Sequence, residues 1–145
     1  MIQSNKVNNV LHLLEKARAT ESDEATYRRY FYQQVMSAVL ISTKRKILAA
    51  NNALQAQFKM SEKELQKLLI DDILHPQDLQ DDLKLFQRLV SGEIDQYDII
   101  KRYHKPGEDS YWSGHIIVTR IDRRDTDPVI VCTFKEPHTI RGSIS

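Results

Sequence analysis

The chain has 145 residues, 41% of them apolar and 28% charged, with 21 basic and 20 acidic side chains and a net charge of +1. That length suits one domain with its own hydrophobic core, and the charge balance excludes a surface built to hold nucleic acid or acidic lipid over a large area. A single cysteine, Cys132, excludes an internal disulfide framework and any multi-cysteine metal site.

The start, MIQSNKVNNVLHLLEK, lacks the basic, continuously apolar and small-residue regions of a secretion signal. Apolar runs fall far short of the about 18 residues that span a bilayer. The expected setting is cytoplasmic, with no membrane insertion. Residues 5–18 place Val7, Val10, Leu11, Leu14 and Ala17 at three-and-four spacing, the stripe of an amphipathic helix. Residues 23–36 predict a second helix with Tyr27, Tyr30, Phe31 and Val35 along one side. Two such helices need a surface to bury against, either the flank of the following domain or a second copy of the chain.

The period then changes. Met36–Ser42 and Lys46–Ala50 predict two short strands around a polar turn at Thr43–Arg45. Asn51 and Asn52 break the run and suit a helix start, so Ala53–Phe58 is expected to be a short helix. Ser61 with Glu64 forms a capping box, and the helix behind it is expected to bury Leu65, Leu68 and Leu69. Ile70–Leu74 adds a further helical turn, which Pro76 is expected to end. Asp78 with Asp81 then opens a longer helix with a buried stripe of Leu79, Leu83, Phe86 and Leu89 or Val90, stopped by Gly92. Ile94–Tyr103, Ser110–Ile121 and Val129–Phe134 predict three longer strands, the last central, with a hairpin loop at Asp122–Asp127 and Pro128 at a strand entry. The fold class is therefore α+β: a five-stranded antiparallel sheet with helices on one face, preceded by N-terminal helices.

This order of elements resembles a PAS domain over about residues 32–137. MSAVLISTKRKILAANNALQAQF resembles the opening strand pair and the Asn-rich helix start. MSEKELQKLLIDDILHPQDLQDDLKLFQRLVSGE resembles the helical belt with its His-Pro-x-Asp turn. IDQYDIIKRYHKPGEDSYWSGHIIVTRI resembles the strand pair with its polar hairpin, and VIVCTFKEP the last strand. The resemblance divides the chain into a helical segment at 1–35, a PAS domain at 36–137 and a short tail at 138–145. Ala50-Asn51-Asn52-Ala53 departs from the family's usual Asn-Pro pair, and Phe134-Lys135-Glu136-Pro137 from its usual exit into a signalling helix.

The resemblance implies a sensory or interaction module, and it lets the family's cofactors be tested against the residues. A covalent flavin photosensor carries an Asn-Cys-Arg-Phe-Leu-Gln signature near the helix at 61–75; this chain has no cysteine there, which argues against a flavin adduct. Haem-binding members place a histidine on the long helix at 79–90, and none occurs on it, which argues against haem. His75 reads as a turn residue or cap. Asp71, Asp72, Asp78, Asp81 and Asp82 read as capping and solubilising groups. Cys132 reads as an inert buried thiol. Arg120, Arg123 and Arg124 read as a solvated rim of the hairpin. No catalytic or metal-binding residue is assigned, and no cofactor is expected.

Leu68, Phe86, Tyr97, Tyr103, Trp112 and His115 are the residues expected to line a pocket, if the space between sheet and helices holds one. Val7, Val10, Leu11, Leu14, Tyr27, Tyr30 and Phe31 are the residues expected at a dimer interface. The leading expectation is a non-enzymatic sensory or protein-interaction module, homodimeric through its N-terminal helices and serving an output domain or partner protein. The alternatives are a receptor for a non-covalent small ligand and a small enzyme on a PAS-like fold, the latter with no nucleophile–base pair to support it.

Overall fold

The structure, a computed structural model, describes residues 21–140. The expected helix at 5–18, with Val7, Val10, Leu11 and Leu14, lies outside the described residues, as does the end of the tail from residue 141. Helix α1 (Glu21–Gln33) leads into β1 (Ser37–Ile41) and β2 (Ile47–Ala50). Helices α2 (Asn52–Phe58) and α3 (Glu62–Leu65), a 3-10 turn (Ile70–Ile73) and α4 (Pro76–Val90) follow. Strands β3 (Gln96–Tyr103), β4 (Tyr111–Arg123) and β5 (Thr126–Ile140) complete the domain. The sheet is antiparallel with order β2-β1-β5-β4-β3, so the strand containing VIVCTF is central, as its apolar character predicts.

Period-two alternation divides the sheet into two faces. Val39 and Ile41 of β1 and Ile130, Cys132 and Phe134 of β5 join Leu54, Phe58, Leu65, Ile73, Phe86 and Leu89 in the main core beneath the helices. Their neighbours Ala38, Val129 and Val131 point the other way and cluster with Ile121 and Phe31. Helix α1 thus sits on the face opposite the other helices, anchored by Phe31 at 1% exposed.

Asn51 welds the opening strand pair to α2. Its buried side-chain oxygen accepts from the N–H groups of Ala38 and Leu54, both at 3.0 Å, and its amide donates to the carbonyl of Met36 at 2.8 Å. The capping box of Ser61 and Glu64 forms as its spacing predicts.

Three local expectations are corrected. The helix behind the box stops at Leu65, so Leu69 is extended and 43% exposed rather than buried. Pro76 follows the end of the preceding turn, with His75 held extended before it as expected, and it also opens α4: it occupies the first turn, where a missing N–H costs nothing, and His75 is the cap. Asp78 is therefore not the cap; it accepts from the backbone and guanidinium of Arg102 instead. Pro128 lies within β5, beyond the last pair of that strand with β1 (Ile41↔Ile130) and beside a bulge opposite Ile121–Arg123, where a ladder donor is dispensable. The strand also runs through Pro137 to Ile140, pairing His138 with Ser113 and Ile140 with Tyr111.

Candidate functional site

Strand β3 faces α4 across the core. Its odd-numbered residues Tyr97, Lys101 and Tyr103 point inward and are buried, whereas Gln96, Asp98 and Ile100 are exposed on the other face. Opposite them, α4 carries Asp82 on its buried stripe, one turn before Phe86 and 2% exposed. The third contributor is the β1–β2 turn. Arg45 adopts a left-handed backbone there (φ 70°), which lets its N–H reach the carbonyl of Ser42 at 2.9 Å and its carbonyl accept from Ile70 at 2.8 Å. The side chain then extends under α4.

These groups form one buried polar network. Lys101 Nζ donates to Asp82 Oδ1 at 2.5 Å, and the Tyr97 hydroxyl donates to the same oxygen at 2.8 Å. Arg45 Nη2 donates to Asp82 Oδ2 at 2.7 Å while its Nε donates to Asp71. The Arg45 guanidinium also lies 4.7 Å from the centre of the Phe86 ring, a cation–π contact. Two carboxylates and two cations balance, as burial of charge requires.

The electrostatics follow from this geometry. Burial pushes the Asp82 carboxyl up, but Lys101 and Arg45 outweigh it and hold the group below the usual carboxylate range. Burial followed by the charge of Asp82 pushes the Tyr97 phenol up, so it is a neutral donor. Arg45 is raised: desolvation alone would lower it, and Asp82 and Asp71 more than offset that. Burial lifts the neighbouring Cys132 thiol to about 12, which keeps it protonated and unreactive at neutral pH. Both oxygens of Asp82 are already occupied, which suits a lock joining turn, helix and strand better than a general base.

The rest of the space is aromatic. Phe58 stacks on Tyr103 at 6.2 Å and lies 5.1 Å from Trp112; Tyr103 lies 5.5 Å from Trp112 and 4.8 Å from Phe134. The Tyr103 hydroxyl accepts from Gln57 Nε2 at 3.2 Å, and burial pushes its pKa up to about 12.

Of the residues expected to line a pocket, Leu68, Phe86, Tyr97, Tyr103 and Trp112 belong to this core or pack against it. His115 lies on the opposite face, with Nε2 3.2 Å from Asp98 Oδ2. It is an odd number of residues from Trp112, and strand parity sends the two to different sides. Of the residues expected at an interface, Phe31 is buried against the domain's own sheet and Tyr30 packs beside it; nothing is described of the Tyr27 side chain. Sequence reasoning read Asp82 as a capping and solubilising group, which the structure corrects to a buried core carboxylate; it did not select Lys101 or Arg45 as site residues. Asp82 was legible from helical period, being in phase with Phe86 and Leu89, and Lys101 from its place between Ile99 and Tyr103. Arg45 carried no such signal.

Two further groups sit apart. His75 is 5% exposed; its Nδ1 accepts from the N–H of Gln77 at 3.1 Å, and the Tyr111 ring lies 4.7 Å from both His75 and His104. Arg120 is not a solvated rim residue: its Nη1 donates to the carbonyls of Leu89 and Ile94, each at 2.7 Å, clamping the α4–β3 loop. Among the described residues, no three His, Cys, Asp or Glu side chains converge as metal ligands would.

No protein-family model matches the chain. Among curated proteins it is 28% identical over 114 residues to the "Probable diguanylate cyclase DgcE" of Escherichia coli (strain K12), a match covering 78% of this chain and 10% of that protein. The chain therefore spans about a tenth of the relative's length. Among solved structures it is similar to a domain of a sensory box sensor histidine kinase/response regulator from Geobacter sulfurreducens, with TM-score 0.62 and 12% identity over 81% of this chain and 98% of that one. It is also similar to a PAS domain of a LuxR-family transcriptional regulator from Burkholderia thailandensis, solved in complex with ethanol, with TM-score 0.56 and 20% identity over 75% of this chain and 95% of that one.

Proposed function

Because the chain has the PAS fold, we propose that it is a non-enzymatic sensory or protein-interaction module that works as a homodimer through the segment preceding β1. The observation carrying this reading is the join between α1 and the sheet. Phe31 locks α1 to the outer face. Immediately after it, Val35 is 76% exposed, and Gln34 is 8% exposed with neither side-chain polar atom hydrogen-bonded among the described residues. Both belong to a groove of about 330 Å³ that also includes Thr26, Arg29, Tyr30 and Gln33. A buried amide without partners and an exposed valine beside it suit a protein surface that is covered in use. Gln34 leads within a few residues into β1, which pairs with central strand β5, so a change in packing there would be transmitted to the sheet. The output would be a partner protein or a domain outside these residues.

Sedimentation velocity on the whole chain tests this. A dimer mass is expected at micromolar concentration, and Val35→Asp should return it to a monomer with an unchanged circular dichroism spectrum. A monomer mass for the unmodified chain across that range would sink the dimer reading.

A second reading is a receptor for a non-covalent small ligand, which the ethanol complex of the Burkholderia domain supports by analogy. The stacked rings and the Asp82 network weigh against it, since they occupy the space such a ligand would use. Native mass spectrometry of freshly purified protein decides: a bound small molecule favours the receptor, and the bare chain mass favours the interaction module.

A further inference from the structure

The two edges of the sheet are finished differently. Along β2, Ile47 N–H donates to the carbonyl of Leu68 at 3.1 Å, the Leu48 carbonyl accepts from Gln66 Nε2 at 2.8 Å, and Ala50 N–H donates to Glu62 Oε2 at 3.1 Å. That edge is closed. The C-terminal end of β3 is closed as well: the Arg102 carbonyl accepts from His75 at 3.0 Å, Arg102 N–H donates to Asp78 at 2.8 Å, and His104 N–H donates to Ile73 at 2.8 Å.

The remainder of β3 is open. Arg102 turns its N–H and C=O away from β4, and the register from Gln96↔Thr119 to Tyr103↔Trp112 runs without a break. Alternation therefore turns the backbone groups of Gln96, Asp98 and Ile100 the same way. No described residue bonds to them. Ile100 beside them is 75% exposed, the apolar character that an unprotected edge would be expected to avoid. The charges differ too. Asp78, Glu93 and Asp95 each pair with an arginine, Arg102, Arg88 and Arg120 respectively. Among the described residues, the ion-pair partner of Asp98, whose side chain is 57% exposed, is His115, which is a cation only when protonated.

We propose that the open edge of β3 from Gln96 to Ile100 is a strand-addition site for an extended segment of another polypeptide, one that sets a lysine or arginine against Asp98 and an apolar residue against Ile100. Main-chain pairing supplies the affinity and those two positions the selectivity. A second copy of β3 fits poorly. The antiparallel pairing that uses all three outward residues sets Asp98 against Asp98, and a shift towards Tyr103 meets the segment around Leu74 already bridged there. The site lies on the β3 edge, whereas the α1 groove lies at the join of α1 and β1, a strand not adjacent to β3, and the proposal stands independently of the dimer reading.

Nuclear magnetic resonance on the whole 15N-labelled chain tests it with two capped heptapeptides, Ac-TITKTQT-NH2 and the same sequence with glutamate in place of lysine. The lysine peptide, titrated to millimolar concentration, should shift the amides of Gln96, Asp98 and Ile100 and slow their hydrogen exchange. The glutamate peptide should bind more weakly, and Asp98→Asn, with its spectrum otherwise intact, should weaken the lysine peptide by about two- to fivefold, as loss of a cross-strand charge pair does. Absence of shifts at those amides, shifts centred elsewhere, or equal binding of both peptides would overturn the proposal.

Discussion

Asp82 shows how one side chain can join three parts of a chain. It lies on the stripe of α4 that packs inward, so its carboxylate is carried into the core and must find cations there. Lys101 comes from strand parity and Arg45 from a left-handed turn. Asp82→Ala would leave buried Lys101 without its carboxylate and Arg45 with Asp71 alone, and is expected to destabilise the domain by about 3–5 kcal/mol in urea denaturation. Replacing Asp82 by Leu together with Lys101 by Met should recover much of that loss, because Arg45 keeps Asp71. If the double variant were no more stable than Asp82→Ala, the network would not be the source of the effect.

At the scale of elements, the start of α4 depends on His75. Its Nδ1 accepts from Gln77, which a protonated ring nitrogen cannot do. Burial, then the charge of Arg102, lowers the His75 pKa below its ordinary 6.5. A folded value below the unfolded one means that this contribution is complete above 6.5 and is lost as pH falls through the folded value. Asp82 has the same sign, but its contribution is complete above 3.8 and is lost only at lower pH. His75→Ala should cost about 0.5–2 kcal/mol at pH 7.5, and His75→Asn, which restores a capping oxygen, should cost less. Thermal unfolding between pH 7.5 and 5 should fall more steeply for the unmodified chain than for His75→Asn; parallel curves would refute the cap as a pH-sensitive group.

At the scale of the whole molecule, the sheet has helices on both faces, and α1 holds the outer one through Phe31. Phe31→Ala should cost about 3–5 kcal/mol, the range for emptying a well-packed aromatic site, read from the shift in urea midpoint. A loss under 1 kcal/mol would mean that α1 is not docked as described. Much of this architecture was legible locally. The capping box, the asparagine helix start and the stop at Gly92 are short-range hydrogen-bond and dihedral preferences, and each forms. Strand alternation separates Val39 from Ala38 and Cys132 from Val131 without knowledge of any partner. The misreading of Asp78 arose because one residue suits two local roles and a distant group, Arg102, decides between them.

By itself the sequence determined the order of elements, the two-faced strands and the α+β class, because these rest on interactions between residues a few positions apart. It also contained the balanced charges of the core, but not their pairing. Only the tertiary structure decided that Arg45, Asp82 and Lys101 meet, and that one sheet edge is closed while half of the other stays open. Those outcomes depend on contacts between residues 19 to 37 positions apart and on which backbone groups distant segments cover, and no local pattern encodes either.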